Sequence, residues 1–141
     1  MSAAVYRFMQ GVRALTAFAR PLDDAPARLI ISPAQMALFK RLNRSEQMHS
    51  LAVLRAVQAQ ADTTPPALAA AALLHDVGKA RYPLRVWQKT IVVLVRKFAR
   101  PLYRRWAQGD PQNVWARGFV VNMQHPAWGA QMAEQAGGDP L

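Results

Sequence analysis

The chain has 141 residues, a formal net charge of +10 and no cysteine. Its length predicts one domain with a single hydrophobic core, and the lack of cysteine excludes disulfides, zinc-cysteine sites and thiol catalysis. No apolar stretch approaches the roughly 20 residues of a membrane span, and the first residues lack the layout of a secretory signal. We therefore expect a cytoplasmic protein that does not cross a membrane.

Helices are predicted throughout, because no alternating strand pattern competes with the helical spacing of apolar residues. The first helix covers Ala3–Ala19 and ends at Pro21. A loop is predicted at 23–26. Ser32 and Pro33 then supply an N-cap and a first-turn proline for a short helix.

The next helix is predicted from about 44 to 61, with Asn43 and Glu46 in the positions of a capping box. His49 lies just beside the main apolar stripe of this helix. Pro65 suits the first position of the following helix, which is predicted to carry the next pair of candidate ligands.

Two metal-type ligands, His75 and Asp76, stand at the end of the apolar run 67–74. A buried carboxylate without a partner loses several kcal/mol of hydration, and a cation would compensate. Gly78 is expected to stop the helix in the left-handed C′ conformation. Adjacent helical residues project about 100° apart, so the pair binds one ion in a tight bite or is split between two ions. Further ligands must come from elsewhere in the chain.

The segment between Asp76 and Asp110 is basic and has no acidic residue. Its nine cationic side chains are Lys79, Arg81, Arg85, Lys89, Arg96, Lys97, Arg100, Arg104 and Arg105. A basic amphipathic helix is predicted from Pro83 to about Arg100. Its apolar face carries Trp87, Ile91, Leu94 and Phe98. Such a basic segment attracts nucleotide phosphates, nucleic acid or an anionic membrane. The alternative is that its aromatic residues belong to the hydrophobic core and its cations form an ordinary solvent-exposed surface.

Pro101 bends or ends the basic helix, and a looser segment leads to a final helix predicted from Pro126 to about Ala136. His125 stands directly before Pro126. Each histidine taken alone is equally well explained as a core imidazole bonded to a backbone carbonyl. Together with Asp76, the three favour a metal site. They are His49, His75 and His125.

The order of these residues resembles the HD-domain superfamily of metal-dependent phosphohydrolases. The matching motifs are His49, then Leu-Leu-His-Asp-Val-Gly-Lys at 73–79, then His-Pro-Ala-Trp-Gly-Ala at 125–130. The resemblance covers about 43–137. It implies an all-α helical bundle: one HD-type domain over 1–141, with N-terminal helices at 1–42 and the HD core at 43–137. It also implies one or two divalent transition-metal ions, iron or manganese first.

The resemblance also implies roles for residues. His49, His75 and Asp76 would hold the first metal, and His125 would help to hold a second metal bridged by Asp76. Asp76 and Lys79 are the predicted catalytic residues. Lys79 and Arg81 are predicted to bind phosphate, although a lysine at this place also complements the C-terminus of a helix.

One feature departs from the family pattern, which normally closes with an Asp that ligates the first metal. Asp139, followed by Pro140, has the pattern of a helix start, and Asp110 lies in a Gly-Asp-Pro turn. We therefore expect a chain cut short relative to its relatives. The resemblance implies hydrolysis of a phosphate ester by a metal-activated water, with a nucleotide as the preferred class of substrate. The alternative is an HD-like module with impaired catalysis that binds nucleotide, anionic membrane or nucleic acid through the basic helix.

Overall fold

A computed structural model describes residues 21–60 and 62–137, and the regular secondary structure of this part is entirely helical. The predicted all-α class is confirmed. The helix predicted at 3–19 and the candidate Asp139 lie outside the described residues. The helices are α1 (Ala25–Ile30), α2 (Pro33–Arg41), α3 (Arg44–Gln58), α4 (Pro66–Leu74), a 3₁₀ helix (Val77–Arg81), α5 (Val86–Phe98), α6 (Arg100–Trp106) and α7 (Arg117–Gln135). None of them is long and apolar enough to cross a membrane.

The starts of α2 and α3 follow the predicted capping signals. The Ser32 side chain accepts a hydrogen bond from the Gln35 backbone N–H, and the Gln35 side chain accepts one from the Ser32 N–H. Asn43 and Glu46 form the same reciprocal pair before α3. These boxes satisfy backbone donors that have no partner inside the helix, so local sequence determines both boundaries.

The loop predicted at 23–26 was wrong in its second half, because α1 begins at Ala25. Pro26 lies in the first turn of α1, where its missing N–H costs nothing. Asp24 precedes the helix and forms ion pairs with Arg28 and Lys40. The pair with Lys40 ties the start of α1 to α2.

The predicted left-handed stop at Gly78 was also wrong. α4 ends at Leu74, and the chain passes through His75 and Asp76 directly into the 3₁₀ helix. Among the described residues, only Gly137 has a positive φ. Gly78 is required for another reason: a Cβ built there would lie 2.0 Å from the His125 carbonyl oxygen and 2.7 Å from the Gly129 nitrogen. The 3₁₀ helix and α7 therefore pack backbone against backbone.

The last helix is longer than predicted, because α7 begins at Arg117 and contains Pro126 in its interior. Proline has no N–H to donate to the carbonyl four residues earlier, here that of Asn122. The His125 ring Nδ1 lies 3.1 Å from this carbonyl oxygen and 2.9 Å from that of Val121. The imidazole thus supplies a donor next to the carbonyl that Pro126 leaves unpaired, so the helix continues through the proline.

Two hydrophobic clusters form the interior. The larger one joins α1 to α4, the 3₁₀ helix and the C-terminal part of α7, around the fully buried Phe39, Leu54 and Leu73. The smaller one joins α5, α6 and the start of α7 around Val92 and Phe119. α7 belongs to both clusters, and it therefore sets the position of α5 and α6 against the rest of the bundle.

The buried face of α5 is not the most apolar one. Leu94 and Phe98 are 50% and 75% exposed, whereas Gln88 and Val92 are buried. The Gln88 amide donates to the carbonyl of Val114 at 2.8 Å, and its oxygen accepts from the Arg85 N–H. A buried amide must keep its hydrogen bonds, so this anchor rotates the helix away from the most apolar packing.

Candidate metal centre

Three separate parts of the fold bring the predicted ligands together. α3 carries His49, the junction between α4 and the 3₁₀ helix carries His75 and Asp76, and α7 carries His125. One ligand atom from each of His49, His75 and Asp76 lies within 4.8 Å of the others. His125 lies outside this group of three, but its Nε2 is 3.5 Å from Oδ1 of Asp76. Three of the four predicted metal ligands therefore form one cluster, and the fourth contacts its carboxylate.

The orientation of two imidazole rings is set by backbone carbonyls. The Nδ1 of His75 lies 2.9 Å from the Ala72 oxygen, and the Nδ1 of His125 lies 2.9 Å from the Val121 oxygen. A carbonyl only accepts hydrogen bonds, so Nδ1 carries the proton in each neutral ring and Nε2 keeps its lone pair. Histidines that bind metals are usually held by such a bond from the other ring nitrogen.

Both Nε2 atoms face Asp76, so each of its carboxylate oxygens lies near one imidazole nitrogen. The Nε2 of His75 is 3.5 Å from Oδ2, and that of His125 is 3.5 Å from Oδ1. A lone pair facing a carboxylate is repelled, so each contact is attractive only when a proton or a cation is shared between nitrogen and oxygen. The geometry therefore suits a shared positive charge.

Asp76 is almost fully buried, at 3% exposure. Burial by itself raises the pKa of Asp76, but a hydrogen bond from His125, which requires a proton on Nε2, and the Lys79 ammonium outweigh it and hold the pKa well below the ordinary range. The Lys79 ammonium donates to Oδ2 at 2.7 Å. Asp76 is therefore a carboxylate at neutral pH, as a metal ligand has to be.

A cavity of about 280 Å³ opens beside this cluster. His49, Asp76 and Lys79 line its polar end, and Val92 and Val121 line an apolar wall. The cavity leaves space for an organic group next to the predicted ligands.

A second lysine, Lys89, lines the same cavity, although the sequence pattern did not single it out as a site residue. The Lys89 ammonium donates to Oε1 of Glu46 at 2.8 Å, and both residues face the cavity. The two residues are far apart in sequence, and Lys89 looked like one cation among many in the basic segment. Only the tertiary fold, which brings Lys89 of α5 to Glu46 of α3, could reveal this pair.

Of the two predicted phosphate-binding residues, Lys79 lines the cavity and Arg81 does not. The Arg81 guanidinium lies over the Trp128 ring, 5.3 Å from its centroid, and lines a different cavity beside Gln131. The carboxylate of Asp110 accepts from the Gln112 backbone N–H in an exposed turn. Among the described residues, no further acidic residue or histidine joins the group of His49, His75 and Asp76.

Comparison with protein families, with curated proteins and with solved structures found no match to this chain. The resemblance to the HD-domain superfamily therefore rests on the motif residues alone. The donor set can be judged independently: imidazole nitrogens together with a carboxylate suit zinc, iron, manganese and similar divalent cations. The residues present thus fit the metal that the motif implies.

Proposed function

We propose that this chain is a metal-dependent phosphohydrolase that hydrolyses a phosphate ester, with a nucleotide as the preferred class of substrate. His49, His75 and Asp76 would hold a divalent transition metal, iron or manganese, and His125 would add a donor on the other oxygen of Asp76. One observation carries the proposal: three ligands from distant parts of the sequence meet within 4.8 Å of one another around a buried carboxylate.

A bound divalent cation would polarise a phosphoryl oxygen and lower the pKa of a bound water, which yields a nucleophile at neutral pH. The contribution of the chain itself is positioning. The carbonyls of Ala72 and Val121 hold two imidazoles with Nε2 inward. Burial excludes water from Asp76, so its charge acts strongly on anything beside it.

Two lysines would contact the substrate phosphate. Lys79 is partly exposed on the cavity wall, so its ammonium can turn from Asp76 to a phosphate oxygen. Lys89 offers a second cation in the same cavity. The apolar wall formed by Leu84, Val92 and Val121 would contact the organic part of the ester. A phosphate attached to a flat or apolar group would match a cavity that combines lysines with an apolar wall.

The second candidate is a binding module that holds nucleotide and metal without turnover. The hydrogen bond from Lys79 to Asp76 favours it, because the ammonium occupies an oxygen that a metal would need. The two candidates share the site and differ only in product formation.

The test combines metal content with activity. Protein purified without a nickel column is reconstituted with iron or manganese, analysed for metal, and assayed on nitrophenyl phosphates and a panel of nucleotides. We expect bound metal and hydrolysis. His75→Ala and Asp76→Ala should each lower both metal content and hydrolysis by roughly 100-fold, since even the partners of metal ligands are worth 10–100-fold. Asp110→Asn, at an exposed turn, is the matched control and should change neither.

Two results would contradict the proposal. One is the absence of transition metal after reconstitution. The other is hydrolysis that both substitutions leave unchanged. Metal binding that depends on His75 and Asp76 without any hydrolysis would instead establish the binding module.

A further inference from the structure

The outward side of α5 carries large apolar side chains as well as cations. Val86, Val93, Leu94 and Phe98 are 81%, 57%, 50% and 75% exposed. At about 100° per residue they project away from the buried Val92. Adjacent exposed side chains of this size mark an interaction surface more often than a solvated one. α6 adds the exposed Leu102 and Trp106. We call the exposed apolar and cationic residues of α5 and α6 the α5–α6 face.

Cations border this apolar surface directly. A cavity of about 620 Å³ is lined by Arg96, Lys97, Arg100 and Arg104, together with Val93 and Tyr103. None of the four cations forms an ion pair with a described residue. Val93 belongs to the apolar side of α5 and to the cavity wall, so the two surfaces are continuous.

Charge argues against two ways of covering this face. The first 20 residues of the chain include Arg7, Arg13 and Arg20 and no acidic residue. A second copy of the same face would likewise bring four more cations. Either occupant would place positive charge against positive charge. Charge complementarity therefore favours an anionic occupant.

The apolar residues select among anionic partners. A nucleic-acid strand would neutralise the cations, but its phosphate backbone offers no apolar surface for Val86 and Leu94. An anionic bilayer satisfies both requirements, since its headgroups pair with Lys and Arg while Leu, Phe and Trp enter the boundary of the acyl region.

We propose that the α5–α6 face docks on an anionic lipid bilayer, with headgroup phosphates in the basic cavity and Leu94 and Phe98 inserted at the interface. The site around Asp76 is not needed for this contact. The docking proposal and the phosphohydrolase proposal can therefore fail separately.

The first test is co-sedimentation with vesicles of phosphatidylserine and phosphatidylcholine, compared with phosphatidylcholine alone. We expect binding to the mixed vesicles only. Arg96→Gln with Arg100→Gln should lower the partition coefficient about 30-fold, since each cation near the surface is worth about fivefold. Leu94→Ser with Phe98→Ser should lower it by about tenfold or more. Arg55→Gln and Leu29→Ser, at exposed positions on α3 and α1, are the matched controls and should bind like the unmodified chain.

The second test does not depend on weakened binding. Because the chain has no cysteine, Phe98→Cys provides a single site for a polarity-sensitive fluorophore, and Leu29→Cys provides an equally exposed control. Anionic vesicles should shift the emission at position 98 to the blue and leave position 29 unchanged.

Three outcomes would overturn the proposal. In the first, the label at position 98 stays in water at saturating lipid. In the second, an oligonucleotide binds more tightly than the vesicles and is insensitive to Leu94→Ser with Phe98→Ser, which identifies a nucleic-acid surface. In the third, ultracentrifugation shows a dimer that these two substitutions disperse, which identifies a second copy.

Discussion

At the scale of single residues, Lys79 and His75 compete for one oxygen. The Lys79 ammonium lies 2.7 Å from Oδ2 of Asp76, and the Nε2 of His75 lies 3.5 Å from the same atom. A metal ion that binds His75 and Asp76 must therefore displace the ammonium or tolerate its charge nearby. In the absence of metal, the lysine compensates the buried carboxylate.

We predict that Lys79→Met raises metal affinity and lowers hydrolysis. Two unit charges about 4 Å apart interact by about 4 kcal/mol at an effective dielectric constant of 20. Because the flexible lysine can move aside, we expect only about a tenfold gain in affinity. Isothermal titration with manganese measures it, and Lys89→Met is the control, since the Lys89 ammonium is paired with Glu46. A fall in affinity would show that Lys79 supports the metal site.

Ser50, next to His49, has a fully buried hydroxyl without a hydrogen-bond partner among the described residues. A buried polar group without a partner loses its hydration and gains nothing. We predict that Ser50→Ala leaves the free energy of unfolding unchanged or raises it by about 1 kcal/mol. Ser32→Ala is the contrast, because it removes an N-cap and should cost about 1 kcal/mol. Urea denaturation measures both. If Ser50→Ala clearly lowers the free energy of unfolding, the Ser50 hydroxyl has a hydrogen-bond partner in solution.

At the scale of elements, the contact between the 3₁₀ helix and α7 decides the geometry of the site. Gly78 and Gly129 face each other there, and the close approach brings His125 to Asp76. The sequence pattern explained Gly78 as the residue that stops a helix. The actual reason, contact with a helix about 50 residues away, is a tertiary one that no local pattern contains.

We predict that Gly78→Ala destabilises the protein by about 3 kcal/mol, the upper range for an overpacked interior. The added methyl group would overlap the His125 carbonyl, so the 3₁₀ helix must move away from α7 and metal affinity must fall. Gly109→Ala is the control. A Cβ at Gly109 would lie 3.1 Å from its nearest neighbouring atoms, so these need to move by only a few tenths of an ångström. Equal stability of the two variants in urea would contradict the packing argument.

The orientation of α5 provides a second lesson at this scale. The apolar spacing predicted that Leu94 and Phe98 share one face of the helix and left open whether this face is buried; both side chains are exposed. The hydrogen bond from Gln88 to the Val114 carbonyl, together with the space that Gly118 leaves for Val92, rotates the helix. Hydrophobic spacing alone does not contain either contact.

At the scale of the whole molecule, the candidate metal centre lies where α3, the end of α4 and α7 converge. A ligand set drawn from such distant segments exists only in the folded chain, so metal binding and folding are coupled. A ligand that binds only the folded state stabilises it by about 2.7 kcal/mol at 100 times its dissociation constant.

We predict that saturating manganese raises the Tm by about 8 °C, at about 3 °C per kcal/mol for a chain of this size. Differential scanning fluorimetry measures the shift. His75→Ala should abolish it, and Asp110→Asn should retain it. An equal rise in the unmodified chain and in His75→Ala would place the metal elsewhere.

The sequence by itself determined what is local in this protein. The capping boxes at Ser32 and Asn43 and the helical class follow from side-chain chemistry and spacing over a few residues, whereas the candidate ligands were named from the order of motifs along the chain. The tertiary structure decided what depends on distant contacts: the meeting of His49, Asp76 and His125, the pairing of Lys89 with Glu46, and the outward turn of Leu94 and Phe98. The physical reason is that close packing and buried hydrogen bonds join residues irrespective of their separation in sequence.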